Sequence, residues 1–423
     1  MDSHLIAMLT IPLFTGVIGY VTNWTGIWML FYPVRFRGWR VPGLAALAQL
    51  LPRKLQQVPG IMQGGIGWQG IIPSRAAKMG SIAVDRGIAK LGTPSEFYRR
   101  LDPEAIAEHI LITSRGDIRD VVDRILEREH PGLWRDLPPQ VKEGVHERVQ
   151  AQLPRIVKDM TDDIGTNIDH LMDVKLMVIR HLEAHPELMN RIFLEMGRKE
   201  LRFIINFGFL FGLLQGIPLV GLVELVPQWW VLPIGGVFIG YATNWVALWM
   251  IFEPARPRRI GRLKLHGLFI RRQGEVADVY AKIIADDVVT LSHMGDELMH
   301  GRKSDRTRRL IERRLAPAVD RALGAAKPLV RVALGTREYD AIREGVATEA
   351  AEYAITPMKD EEFGRRQSSQ VRELIGERMR EMAPEDFAEM LRAAMREDEW
   401  LLLLHGAVLG FAAGLLHLAI FGV

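Results

Sequence analysis

Three stretches of this chain, 1–34, 203–255 and 397–423, are strongly apolar and contain no lysine or arginine. All 54 basic residues fall in the two blocks between them, Arg35 to Arg202 and Arg256 to Arg396. The first apolar run extends from about Leu5 to Phe31. The second is double: Phe203 to Val223, a break over 224–228 that contains Pro227, then Trp229 to Phe252. The last runs from Trp400 to Val423. A helix crosses a bilayer core with ~20 apolar residues, so the pattern predicts four spanning helices. Buried core helices of a soluble protein would need equally long uncharged cores at both ends of the chain. The polar blocks read as amphipathic helices. Val276, Tyr280, Ile283, Ile284, Val288, Leu291 and Leu298 form one stripe, repeated more weakly by Met79, Ile82, Ala83 and Leu91. Further helical segments are expected at 103–127, 140–161, 168–200, 305–323, 337–355 and 367–396, punctuated by Pro103, Pro138-Pro139, Pro186, Pro317, Pro328, Pro357 and Pro384. Packing between helices is the plain role for these stripes, with a lipid-facing surface as the sharper alternative. Nothing reads as a sheet.

The first and third spans are copies. Gly19-Tyr20-Val21-Thr22-Asn23-Trp24 returns as Gly240-Tyr241-Ala242-Thr243-Asn244-Trp245, and Trp28-Met29 and Pro33 return as Trp249-Met250 and Pro254, at a constant offset of 221. The run Gly70 to Arg75 matches Gly267 to Arg272 at an offset of 197, so the first copy carries an insertion of 24 residues, placed roughly at 45–68. Gly208, Gly212 and Gly216 match Gly406, Gly410 and Gly414 at an offset of 198. The expected fold is therefore an all-α membrane protein with four transmembrane helices in two parallel tandem repeats, each reading span, helical block, span. The segments are 1–31, 32–201, a hairpin of two spans over 202–252, 253–399 and 400–423.

Average composition hides this segregation: mean hydropathy is only +0.05. The absence of cysteine excludes a disulfide framework, a thiolate zinc site, an iron–sulfur cluster and a cysteine nucleophile. A net charge of +3 is too mild to argue for nucleic acid as a partner. The distribution of the charge says more. Arg35, Arg37 and Arg40 follow the first span, Arg198, Lys199 and Arg202 precede the second, Arg256, Arg258, Arg259 and Arg262 follow the third, and Arg392 and Arg396 precede the fourth. Basic flanks stay cytoplasmic, which puts both termini outside and both large blocks inside. Met1-Asp2-Ser3-His4 lacks the basic start of a cleavable signal peptide.

Candidate chemistry is sparse. Gly65-Ile66-Gly67-Trp68-Gln69-Gly70 matches the dinucleotide pattern GxGxxG but lacks its strand–turn–helix setting, and a glycine-rich turn near the membrane is expected instead. No nucleophile, acid–base pair or metal-ligand spacing stands out, so no enzyme activity, catalytic residue, metal or cofactor is expected. His405 and His417, in the last span, are assigned packing or interfacial roles. Asn23 and Asn244, each preceded by a threonine (Thr22, Thr243), are the polar points of the spans. They are expected to lock the two copies together, or else to line a path for solute. Arg35, Arg37, Arg40, Arg256, Arg258, Arg259 and Arg262 are candidates for binding lipid headgroups.

The Gly-Tyr-x-Thr-Asn-Trp…Trp-Met-x-Phe-x-Pro segment, the run at 67–75, Glu200-Leu201 ahead of the Gly208 helix, and Glu397-Asp398-Glu399-Trp400 ahead of Gly406 resemble the domain-of-unknown-function 445 family. The resemblance implies a bacterial inner-membrane protein and brings no activity with it. The expected function is a non-enzymatic helical scaffold of the envelope that handles lipid. The alternative is a small-solute or ion transporter or channel built on the repeat axis. Expected partners are membrane lipids and, as an open possibility, a second copy in a dimer.

Overall fold

The computed structural model describes residues 3–85, 92–129, 131–261, 263–323, 356–393 and 395–422, with short pieces at 327, 331–332, 335–337, 339–340 and 344–345. Leu91, Arg262, Pro328 and most of the segment expected at 337–355 lie outside the described residues. The chain folds as two compact units that do not follow chain order. One comprises residues 1–87, 179–280 and 376–423, the other 88–178 and 281–375.

The first unit contains four long apolar helices, α1 (Ser3–Phe31), α2 (Pro186–Leu225), α3 (Val231–Phe252) and α4 (Glu399–Phe421). All four are long and apolar enough to cross a membrane. Large apolar side chains such as Trp24, Leu210, Phe238 and Val408 stand exposed on them, which water disfavours and lipid accommodates. The second span is the C-terminal part of one continuous 40-residue helix. Pro186 starts it at a position where the missing N–H costs nothing, and the helix runs unbroken into the apolar stretch.

The four helices form two antiparallel pairs, α1 with α2 and α3 with α4. Glycine makes each pairing. A Cβ on Gly19 would strike the Gly208 carbonyl, and one on Gly208 would strike that of Gly19. Gly240 and Gly406 meet in the same way, as do Gly236 and Gly410, while Gly216 lies on Pro12 and Gly414 on Pro233. With only hydrogen projecting, the backbones touch and dispersion contacts are dense.

The expectation of no sheet is corrected by two small antiparallel hairpins. β1 (Arg37–Arg40) pairs with β2 (Gly65–Trp68), and β3 (Arg258–Ile260) with β4 (Leu263–Leu265). Strands of three or four residues are too short to write a period-2 signature, and in the first hairpin the partners are far apart in sequence. The GxGxxG run is correspondingly a strand, not a turn. Gly65 and Gly67 face the Phe36 ring, and a Cβ on Gly67 would collide with the Arg37 carbonyl and Gly38. The hairpins register at Arg37↔Trp68 and Arg258↔Leu265. These pairs are related by the sequence offsets of 221 and 197, so the 24 additional residues lie between the strands, within 41–64, and not across 45–68.

The second unit is helical: Pro94–Arg100, Pro103–Glu129, Pro139–Leu171, Leu291–His300 and Ser304–Leu323 are its principal elements. A capping box between Thr93 and Glu96 starts the first of these. The Tyr98 hydroxyl donates to the Thr161 carbonyl at 3.1 Å, and the ring of His109 stacks on Phe363 at 3.9 Å. Pro317, expected to punctuate, instead sits inside Ser304–Leu323. Proline removes one backbone bond there, and the helix continues through it.

The amphipathic stripe is buried by protein. Val276 and Tyr280 belong to the first unit and Ile283, Ile284, Val288, Leu291 and Leu298 to the second, each at most 5% exposed. For this stripe the lipid-facing alternative is therefore set aside. Burial also pushes the Tyr280 hydroxyl up to about 12.

Candidate functional site

Asn23 and Asn244 occupy the middle of α1 and α3. The Asn23 amide donates to the Ile204 carbonyl of α2 at 2.6 Å, and the Asn244 amide to the Leu402 carbonyl of α4 at 2.5 Å. Each reaches that carbonyl over a glycine: a Cβ at Gly208 or Gly406 would lie 2.6 Å from the amide nitrogen. Amide and glycine thus form one device, with the close approach bringing the carbonyl within reach and the bond holding the approach. The expected lock between the two asparagines is not what forms. Each amide instead fastens its own helix pair.

Both asparagines nevertheless border one cavity of about 70 Å³, otherwise lined by apolar side chains including Ile27, Leu30 and Phe193. Thr22 and Thr243 border a second of about 30 Å³. Thr243 Oγ1 donates to the Ile239 carbonyl at 2.7 Å, while Thr22 Oγ1 and Asn23 Oδ1 are buried without a hydrogen-bond partner among the described residues. Both spaces are lined mainly by apolar side chains, which offer water few partners. His417 is buried beside them, its Nε2 3.1 Å from Thr10 Oγ1 and its ring against the edge of Phe14. That is a packing role.

Because the amides serve separate pairs, Asn23→Leu and Asn244→Leu should each lower thermal stability in detergent by ~1–2 kcal/mol. The double change should cost the sum, because neither bond depends on the other. A marked shortfall from additivity would mean that the pairs are coupled through the shared cavity.

Sequence reasoning missed the ion pairs at the basic end of the bundle. Arg75 Nη2 lies 2.5 Å from Asp398 Oδ1, both side chains almost wholly buried. Arg272 Nη1 lies 2.5 Å from Glu200 Oε1, with Glu200 buried. An exposed pair flanks each: Lys78 with Glu397, and Lys199 with Glu275, the latter at 2.8 Å. Hydrogen bonds from Arg272 and then Lys199 hold the Glu275 carboxyl down at about 2. A depressed carboxyl contributes its stability fully above the unfolded value near 4.5 and loses it as pH falls towards 2. The signal was present, since all four partners of the two inner pairs lie in runs singled out above, but nothing in a single sequence says which run meets which.

The six described headgroup candidates, Arg35, Arg37, Arg40, Arg256, Arg258 and Arg259, are all exposed. Arg256 pairs with Glu385. They lie just before and along the first strand of each hairpin. The Gly70 amide donates to the Pro33 carbonyl at 2.9 Å and the Gly267 amide to the Pro254 carbonyl at 3.0 Å, so each hairpin closes directly on the end of its apolar helix. Among the described residues no group of three histidine or acidic side chains stands close enough to hold a metal ion. No family model, curated protein or solved structure matches the chain.

Proposed function

We propose that this chain is a non-enzymatic multi-pass protein of a bacterial inner membrane, a scaffold that holds a helical unit at the cytoplasmic face. It is built from two parallel repeats and belongs with the domain-of-unknown-function 445 family it resembles. The observation that carries the scaffold reading is the backbone-to-backbone glycine packing of the four spans, with their buried amides spent on helix–helix hydrogen bonds.

Support for the repeat comes from how the ion pairs cross. Arg75 and Arg272 are equivalent at the offset of 197, and Glu200 and Asp398 at 198. Each arginine meets the acid of the other copy. The flanking pairs obey the same rule with charges exchanged: Lys78 corresponds to Glu275, and Lys199 to Glu397. The asparagines act within a copy and the ion pairs between copies.

Orientation is testable because the chain has no cysteine. Gln228→Cys, in the exposed link between α2 and α3, should react with an impermeant maleimide on intact spheroplasts, and Ser304→Cys only after permeabilisation. Labelling of Ser304→Cys from outside would reverse the topology. The unpartnered oxygens of Thr22 and Asn23 are the observation that favours transport instead. Proteoliposomes carrying the wild type should leak small ions no faster than empty ones. Protein-dependent flux abolished by Asn23→Leu would replace the scaffold with a path.

A further inference from the structure

The first hairpin has two unlike faces. Its glycine face, Gly65 and Gly67, is covered by Phe36, and Gly60 of the helix Pro59–Met62 lies against the Gly67 carbonyl. The other face is half-buried at Trp68, near the root, and exposed beyond it. Trp39 and Ile66 are cross-strand partners and are 82% and 68% exposed. Large apolar side chains of the inserted residues are exposed as well, Leu47 and Leu50 at 61% and 83%. In water a cluster of large apolar side chains at such exposure is costly, and it marks a surface that is covered in use.

What covers it follows from where it is tied. Gln69 Nε2 donates to the Val34 carbonyl at 2.8 Å, the Gly70 amide holds Pro33, and a Cβ on Gly70 would press on the Phe31 carbonyl. The far side of the insertion is held by Arg75, whose Nη2 donates to the Gln57 carbonyl at 2.8 Å. The patch is therefore pinned at the last turn of α1, where an apolar span ends and headgroups begin. Exposed Arg37 and Arg40 border Trp39 along the strand and exposed Arg35 precedes them, and basic side chains beside an apolar surface suit an anionic leaflet. Exposed tryptophan also prefers that depth.

We propose that residues 39–66 form an interfacial flap whose Trp39, Leu47, Leu50 and Ile66 enter the anionic headgroup–acyl boundary at the C-terminal end of α1. The flap lies flat in the leaflet and spans nothing. The second hairpin, with Gly261 at its turn, lacks this insertion, so the flap has no counterpart there. The inference rests on α1 and α3 being membrane spans, and its test separates the two ideas.

The full-length chain carries an environment-sensitive fluorophore at Leu50→Cys, or at Tyr241→Cys in the middle of α3, in nanodiscs of phosphatidylcholine and phosphatidylglycerol. Both positions are exposed, so neither change disturbs packing. An interfacial segment sits ~5–10 Å below the headgroups, so lipid brominated at shallow acyl positions should quench the Leu50 label by about half. Deep bromination should act on the Tyr241 label instead. Removing phosphatidylglycerol, or combining Arg37→Gln with Arg40→Gln, should shift the Leu50 emission towards that in water. A quenched Tyr241 label with a water-like, unquenched Leu50 label overturns the flap and leaves the spans intact. Both labels unquenched overturns the membrane reading as well. Disulfide pairing of Leu50→Cys between two copies, without lipid quenching, assigns the patch to a dimer interface and overturns the flap.

Discussion

Valine at Gly208 or Gly406 is expected to abolish the folded bundle, with little or no monodisperse protein recovered in mild detergent. At each position the new Cβ would lie deep inside van der Waals contact with the opposing glycine carbonyl oxygen and 2.6 Å from an asparagine amide nitrogen. Both neighbours are constrained, one being backbone and the other held by its hydrogen bond to Ile204 or Leu402. Relief requires the helices to separate, which breaks the amide bond and the remaining glycine contacts together. Overpacking a core typically costs ~1–3 kcal/mol; here the loss of a bond and of neighbouring contacts adds to that. Gly221→Val is the control on the same helix, because a Cβ there meets nothing within 4 Å. Glycine is a poor helix former, so that change should leave the melting temperature unchanged or slightly raised. Equal loss at Gly208 and Gly221 would mean that the close glycine contact is not what makes valine intolerable on this helix.

The helices were legible because lipid imposes a one-dimensional rule: a span must be long, apolar and free of basic residues, and each of these can be counted along the chain. The glycine ladder was legible for a related reason, since a four-residue spacing on a helix defines a face whatever it touches. Partnership was not. Asn23 and Asn244 looked like a matched pair because they occupy equivalent positions, yet equivalence under a repeat says nothing of contact. Each helix pair makes its own bond, Asn23 to Ile204 and Asn244 to Leu402. The hairpins escaped because β1 and β2 are four residues each with the insertion between them. The buried stripe around Ile283 could not be assigned from periodicity, since protein and lipid both select an apolar face.

Breaking one buried ion pair at the basic end should be among the most damaging single changes. Arg75→Ala leaves the Asp398 carboxylate buried without its counter-charge and removes the bond to the Gln57 carbonyl. Loss of one partner from a buried pair costs ~3–5 kcal/mol, most of it the penalty on the charge left behind. Arg75→Met combined with Asp398→Leu removes both charges at similar volume and should recover much of that loss, because neither side chain then demands hydration. Arg272→Ala should behave likewise through Glu200, moderated because the Arg272 side chain keeps more solvent contact. The exposed neighbours provide the contrast. Lys78→Ala should cost at most ~1 kcal/mol, since Lys78 and Glu397 are both about half exposed and screened. Thermal unfolding of the four variants in one detergent gives the ranking. The informative outcome is the double change: if Arg75→Met with Asp398→Leu is as unstable as Arg75→Ala, then the pair supplies specific geometry that packing cannot replace. In that case the crossing between the proposed copies is held by the ionic contact itself and not by the surface around it.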